Sequence, residues 1–91
     1  MDIKPVQEEF FKSLNEIQDR VVNIALCNYK KDDDFKNILY DITFETICDV
    51  MTLIDGYGND NVQLDLIDRK SGESLRTGIE LHDKCVDYLK S

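Results

Sequence analysis

The chain has 91 residues, of which 42% are hydrophobic and 33% are charged, and its net charge at neutral pH is −8. This length and hydrophobic content fit a single domain over residues 1–91 with a core of modest size. The apolar runs are far shorter than the roughly 20 residues that span a bilayer, and the N-terminus lacks the basic start and apolar stretch of a signal peptide, so we expect a cytoplasmic protein without a membrane partner.

Acidic residues are concentrated in the middle of the chain. Residues 32–68 hold ten acidic residues and a single basic one, Lys36, whereas acids and bases nearly balance before and after this stretch. Such a negative field repels nucleic acid and anionic membranes and attracts basic surfaces. We therefore expect a basic protein surface as the partner and no direct contact with nucleic acid. The alternative is that the charge serves solubility alone.

A first helix is predicted to begin at Pro5, because the missing N–H of proline would be unpaired in the first helical turn anyway. Apolar residues then repeat at alternating steps of four and three and form a narrow seam: Phe10, Leu14, Ile17, Val21 and Ile24. A seam of this kind indicates contact with the core or with a partner helix. The helix is predicted to end within residues 28–31, and the short polar link that follows favours an antiparallel helix pair.

The central element is a second predicted helix over residues 34–55. Its apolar residues cover so wide an arc of the helix that it must contact neighbours on two sides. We expect Ile47 and Val50 to be nearly fully buried on this helix, with Ile17 of the first helix buried beside them.

An acidic stripe occupies the remaining arc of the central helix. Asp41, Glu45 and Asp49 follow one another at intervals of four residues with no base among them. Like charges at this spacing destabilise a helix by roughly 0.2–0.5 kcal/mol per pair. A role in binding would explain why the stripe is present despite this cost. Tyr57, in the loop that follows, would add an aromatic anchor of the type enriched at interface hot spots. The candidate partner-binding residues are Asp41, Glu45, Asp49, Asp55, Tyr57 and Asp60.

A β-hairpin is predicted after the central helix. Val62, Leu64 and Leu66 alternate with polar residues, as in a half-buried strand, and residues 69–72 predict a turn into a short return strand over residues 73–76. Because an isolated two-stranded hairpin is marginally stable, it must pack on the second apolar flank of the central helix.

The last element is a short amphipathic helix. Thr77 and Glu80 have the spacing of a capping box at its start. We therefore predict an α+β fold, with two long antiparallel helices, a two-stranded β-hairpin packed on the second helix and a short C-terminal helix. The alternative is an all-α fold with three helices, in which residues 62–76 form an irregular loop.

Catalytic and metal-binding patterns are weak in this sequence. His82 is the only histidine and precedes Asp83, but consecutive helical residues point about 100° apart, so Asp83 is poorly placed to orient the imidazole. Cys27, Cys48 and Cys85 form neither a zinc pattern nor a disulfide framework. We expect no catalytic residue, no metal and no cofactor, and we expect His82 to be structural or merely exposed.

We interpret the chain as a non-enzymatic protein-binding module whose acidic central helix and following loop engage a basic partner. In size and charge it is similar to bacterial immunity proteins and phage-encoded inhibitors, which block a basic active site or mimic nucleic acid. This likeness covers composition alone and assigns no residue a role. One alternative is a homo-oligomeric structural or regulatory protein, such as a homodimer joined through the seam of the first helix or the free edge of the hairpin. The third hypothesis is a small enzyme whose carboxylates come together only in the fold.

Overall fold

The structure, a computed structural model, describes residues 3–90, and these form an all-α fold. Helix α1 spans Pro5–Asn28, α2 spans Phe35–Ile54 and α3 spans Leu81–Lys84, and a 3₁₀ turn over Cys85–Asp87 continues α3. The α2 helix contacts α1 on one side and α3 with its 3₁₀ turn on another. In this described part of the chain, neither long helix has a stretch of the length and hydropathy that a bilayer crossing requires.

The ends of the two long helices follow from local chemistry. Pro5 occupies the start of α1, where its missing N–H has no cost. Asp34 caps α2, because its carboxylate accepts a hydrogen bond of 3.0 Å from the backbone N–H of Lys36. After α2 ends at Ile54, Gly56 adopts a φ of 98°, a left-handed conformation that glycine tolerates best. The predicted bounds of both helices are confirmed to within a residue.

The hydrophobic core lies between α1 and α2 and is small. Ile17 and Val21 of α1 are buried against Leu53 of α2. Partly buried hydrophobic side chains surround this cluster: Phe10, Leu14, Ile42, Val50 and Leu64. The seam predicted on the first helix therefore packs partly within the molecule, although Ile24 at its end is 43% exposed.

The expectation for Ile17 is confirmed, but the expectation for Ile47 is wrong. The Ile47 side chain is 38% exposed, and Val50 is only partly buried. At 100° per residue, Ile47 lies on the flank of α2 between the face that contacts α1 and the face that contacts α3. The apolar arc of α2 is wider than its two neighbours can cover.

The predicted β-hairpin is absent, so the α+β prediction is wrong and the all-α alternative holds. Within residues 3–90, β pairing is limited to one isolated antiparallel bridge between Ile67 and Ser74. The chain does reverse at the expected turn, where the N–H of Gly72 donates to the carbonyl of Asp68 over 2.7 Å. A reversal without strands gives no free hairpin edge for self-association.

Side-chain hydrogen bonds account for the missing strands. Asp65 accepts at Oδ1 from the N–H of Leu66 over 2.8 Å and from the hydroxyl of Ser74 over 2.6 Å. The backbone then turns again, because the N–H of Thr77 donates to the Ser74 carbonyl over 3.3 Å. Such local bonds offer the backbone an alternative to a ladder. Val62 is nonetheless fully buried and anchors this loop.

The C-terminal helix begins later than the capping box predicted. Glu80 is the N-cap residue, Thr77 lies in the preceding turn, and Gly78 has a left-handed φ of 74°. The proposed capping role of Thr77 is therefore wrong. Beyond the helix start, the Sγ atom of Cys85 lies 3.8 Å from the Sγ atom of Cys48 on α2, so the short C-terminal segment rests directly on the central helix.

Candidate binding site

Two of the predicted acidic residues line one cleft. The cleft has a volume of about 220 Å³ and lies between the last turns of α1 and the first half of α2. Its apolar lining is Val21, Ile24, Ala25, Ile42 and Phe44. Its polar lining is Asn28, Tyr29, Asp41 and Glu45. Asp41 and Glu45 therefore lie beside an apolar surface. A fully solvated acidic stripe would have no such surface next to it.

Tyr29 brings a phenol to the same cleft. It follows the last residue of α1, where its backbone N–H donates to the carbonyl of Ala25 over 3.0 Å. Partial burial, followed by the nearby carboxylate of Asp41 and the charge of Glu45, raises the pKa of Tyr29 above its ordinary value. The phenol is thus held in its neutral form, as a hydrogen-bond donor beside two carboxylates.

Asp49, the third acid of the stripe, is already paired. Its Oδ2 atom lies 3.0 Å from Nη2 of Arg20 on α1. This ion pair is partly exposed, so its contribution to stability is modest, but it neutralises the stripe at this point. The base that the acidic stripe lacks is supplied by the neighbouring helix, 29 residues away along the chain.

Asp55 is a buried structural residue. Its side chain is 1% exposed, and its carboxylate accepts hydrogen bonds from the backbone N–H of Leu81 over 3.0 Å and of His82 over 2.8 Å. It therefore holds the first turn of α3 as a capping residue does, although it belongs to a distant part of the chain. Burial alone would raise its pKa, but these hydrogen bonds outweigh burial and lower the pKa below its ordinary value.

A polar cluster surrounds this carboxylate. His82 Nδ1 lies 2.6 Å from Oδ2 of Asp55, and Arg76 Nε lies 3.4 Å from Oδ1. On the other side of the imidazole, Nε2 lies 3.4 Å from Oε2 of Glu80, whose second oxygen accepts 2.6 Å from the hydroxyl of Tyr57. The imidazole is thus held between two carboxylates, and its Nε2 faces Glu80 rather than a thiol or a hydroxyl. These polar contacts connect the end of α2 to the segment that carries α3.

The last two candidate residues, Tyr57 and Asp60, lie at the far end of α2. The ring of Tyr57 is 62% exposed and meets the imidazole of His82 edge-on at 5.4 Å, and Asp60 is exposed in the same loop. Along the axis of α2, Asp41 and Asp55 are separated by about 21 Å. The structure therefore brings Asp41 and Glu45 together at one end and does not join them with Tyr57 and Asp60.

Tyr29, Arg20 and Arg76 were missed by reasoning from the sequence. The guanidinium of Arg76 contacts three groups. Besides lying 3.4 Å from the carboxylate of Asp55, it donates to the carbonyls of Leu64 over 2.8 Å and Asp55 over 3.1 Å. None of these contacts has a local signature, because each joins residues at least 12 positions apart. The only available signal was the position of Tyr29 directly after the helix end, opposite the start of the acidic stripe.

Within residues 3–90, no group of three or more His, Cys, Asp or Glu side chains is arranged to hold a metal ion. Comparison with protein-family models, with curated protein sequences and with solved structures finds no match for this chain.

Proposed function

We propose that the chain is a non-enzymatic protein-binding module that receives a basic side chain of its partner in the cleft between α1 and α2. The observation that carries the proposal is the pairing of two carboxylates, Asp41 and Glu45, with an apolar lining in one cleft. A lysine or arginine side chain has the complementary form, with an apolar stem and a cationic head. A partner side chain of this kind would lay its stem on Ile42 and Phe44 and direct its charge to the acids.

The size of the cleft limits the occupant. A volume of about 220 Å³ corresponds to about seven waters at bulk density, which is room for one long side chain and not for a helix. Arginine suits the site better than lysine, because its guanidinium can bind two carboxylates at once and stack against an aromatic ring. Phe44 and Tyr29 are the aromatic residues of the cleft.

The surrounding charge supports the same partner class. Residues 32–68 hold ten acids and one base, so a basic surface is attracted over a longer range than the cleft itself. An inhibitor, an immunity protein or a nucleic-acid mimic would use such a field against a basic active site. We also propose a cytoplasmic location, which the three free cysteine thiols support because reducing compartments keep thiols free.

The test is capture of the partner from the source cell with tagged protein at low and at high salt. The parent protein should retain a basic protein at about 0.01 M salt, where the Debye length is about 30 Å, and release most of it at high salt. Glu45→Lys should abolish capture, since it places a cation in the cleft. The matched control is Asp19→Lys, an equal charge reversal on the exposed outer side of α1. Equal capture by Glu45→Lys and the parent at low salt would contradict the proposal.

A further inference from the structure

Two thiols from distant parts of the chain lie next to each other. The Sγ atoms of Cys48 on α2 and Cys85 directly after α3 are 3.8 Å apart, although 37 residues separate them along the chain. This distance places the two sulfur atoms in contact, and an approach of roughly 1.8 Å would bring them to the bond length of a disulfide, about 2.05 Å. Changes in side-chain rotamer move a sulfur atom over distances of this size.

The backbone at both positions is fixed by hydrogen bonds. Cys48 lies inside α2, six residues before its end. The N–H of Cys85 donates to the carbonyl of Leu81 in α3. The carbonyl of Cys85 accepts from the N–H groups of Tyr88 over 3.0 Å and of Leu89 over 3.2 Å. The fold therefore holds the two sulfur atoms at an effective concentration far above that in the unfolded chain.

The chain after α3 has little else to hold it in place. We call residues 85–90, all of which the structure describes, the C-terminal segment. None of its side chains is buried: Cys85 and Leu89 are partly exposed, and the other four residues are exposed. A segment with so few buried contacts opens at low cost in free energy. A covalent bond at Cys85 would therefore decide whether this segment stays on α2.

We propose that Cys48 and Cys85 form a reversible disulfide that fixes the C-terminal segment on α2 when a small disulfide, such as glutathione disulfide, accumulates. The structure shows both residues as free thiols, which is the state that a reducing compartment maintains. This modification site is independent of the proposed binding function, because neither cysteine lines the cleft between α1 and α2.

The reaction consists of two thiol–disulfide exchanges. The thiolate of Cys85 attacks one sulfur of glutathione disulfide and forms a mixed disulfide, and the glutathione that leaves takes up the proton lost by Cys85. The thiolate of Cys48 then attacks the Sγ atom of Cys85, and the second glutathione leaves with the proton lost by Cys48. The two cysteines lose two electrons and two protons in total, and glutathione disulfide gains both.

The surroundings of Cys48 favour this order of steps. Partial burial, followed by the hydrogen bond and charge of Cys85 and the charges of Glu45 and Asp49, raises the pKa of Cys48 to about 11. Little thiolate therefore forms at Cys48 at neutral pH, which slows its attack on a dissolved disulfide. The second step is intramolecular, and the sulfur atom to be attacked is already in contact with Cys48.

The test is equilibration of the purified full chain with reduced and oxidised glutathione, followed by alkylation of the remaining thiols and peptide mass spectrometry. The parent should form the disulfide between Cys48 and Cys85. The matched control is Cys27→Ser, which removes the exposed thiol of α1 and should form the same disulfide to the same extent. Unfolding in urea should lower the equilibrium constant for disulfide formation at least about 30-fold, because only the fold brings the two sulfur atoms together.

Two further measurements examine the steps and the consequence. Cys48→Ser, checked for retained helix by circular dichroism, should keep glutathione bound at Cys85, because the second step is blocked. In the parent, oxidation should slow amide hydrogen exchange at Tyr88 and Leu89 at least about tenfold, because the bond prevents local opening of the C-terminal segment. Equal equilibrium constants for the folded and the urea-unfolded chain would overturn the proposal. So would amide exchange at Tyr88 and Leu89 that oxidation leaves unchanged.

Discussion

The two ends of α2 use acidic residues in opposite ways. At the C-terminal end, the carboxylate of Asp55 is 1% exposed and accepts from the N–H groups of Leu81 and His82. In the N-terminal half, Asp41 and Glu45 line a cleft together with apolar side chains. The first carboxylate holds the chain together, and the other two remain accessible to a ligand. Equal charges on one helix thus serve structure at one end and, as we propose, recognition at the other.

This comparison shows why net charge alone is a poor guide to function. Asp49, between the two ends, is neutralised by Arg20 from α1, so the acids of α2 form two separate groups rather than one stripe. What distinguishes the groups is the number of hydrogen-bond donors that the fold directs at each carboxylate. A carboxylate that accepts several hydrogen bonds within the protein stabilises the fold. A carboxylate that faces a cleft can still accept hydrogen bonds from a partner.

The largest effect should come from Asp55→Asn. The substitution keeps the shape of the side chain but turns an NH₂ group towards backbone N–H groups, so buried donors lose their acceptor. We expect a loss of about 2–4 kcal/mol in the free energy of unfolding, measured by urea denaturation. The control is Asp60→Asn in the exposed loop, which should change stability by less than about 0.5 kcal/mol. Similar results for the two variants would remove the distinction between the ends of α2.

The stability gap between the parent and Asp55→Asn should depend on pH. Because hydrogen bonds outweigh burial and lower the pKa of Asp55 in the folded state, its ionised form stabilises the fold. This contribution is fully present above the unfolded pKa of about 3.9 and disappears as the pH falls through the lower folded value. Thermal melts between about pH 2 and pH 7 should therefore show the gap closing below about pH 4. A gap that stays constant to the acid limit would contradict a lowered pKa.

The smallest effect should come from Glu45→Lys. The new lysine lies four residues after Asp41 and replaces a repulsion by an attraction, whereas Asp49 is already bound to Arg20. We expect a gain of about 0.2–0.5 kcal/mol in urea denaturation at low salt. Glu45→Gln removes the repulsion without adding the attraction and should give a smaller gain. A destabilised Glu45→Lys would mean that Glu45 contributes to the fold as Asp55 does.

The sequence predicted the long helices well and the segment after them poorly. The bounds of α1 and α2 follow from caps and from 3.6-residue periodicity, which are local signals. The alternation of Val62, Leu64 and Leu66 is also real, but burial decreases along it: Val62 is fully buried, Leu64 is partly buried and Leu66 remains exposed. A period of two shows which side chains share one side of an extended segment, and it shows neither that this side is covered nor that a second strand pairs with the first.

The candidate site was predicted in part. Asp41 and Glu45 were found from their spacing on one helix, and the structure places both at a cleft. The burial of Asp55 was not predictable, because its partners Leu81 and His82 lie 26 and 27 residues further along the chain. The exposure of Ile47 was missed because periodicity gives the width of an apolar arc and not how much of it the neighbouring elements cover.

The most direct test of the central claim is a two-dimensional ¹⁵N–¹H NMR titration of the full chain with a short arginine-rich peptide at low salt. We predict that the largest shift changes occur at residues lining the cleft, including Ala25, Tyr29, Asp41 and Glu45. These changes should be lost in Glu45→Lys. Shift changes centred on Tyr57 and Asp60, or spread evenly over all acidic residues, would contradict the claim that the cleft is where this protein meets a basic partner.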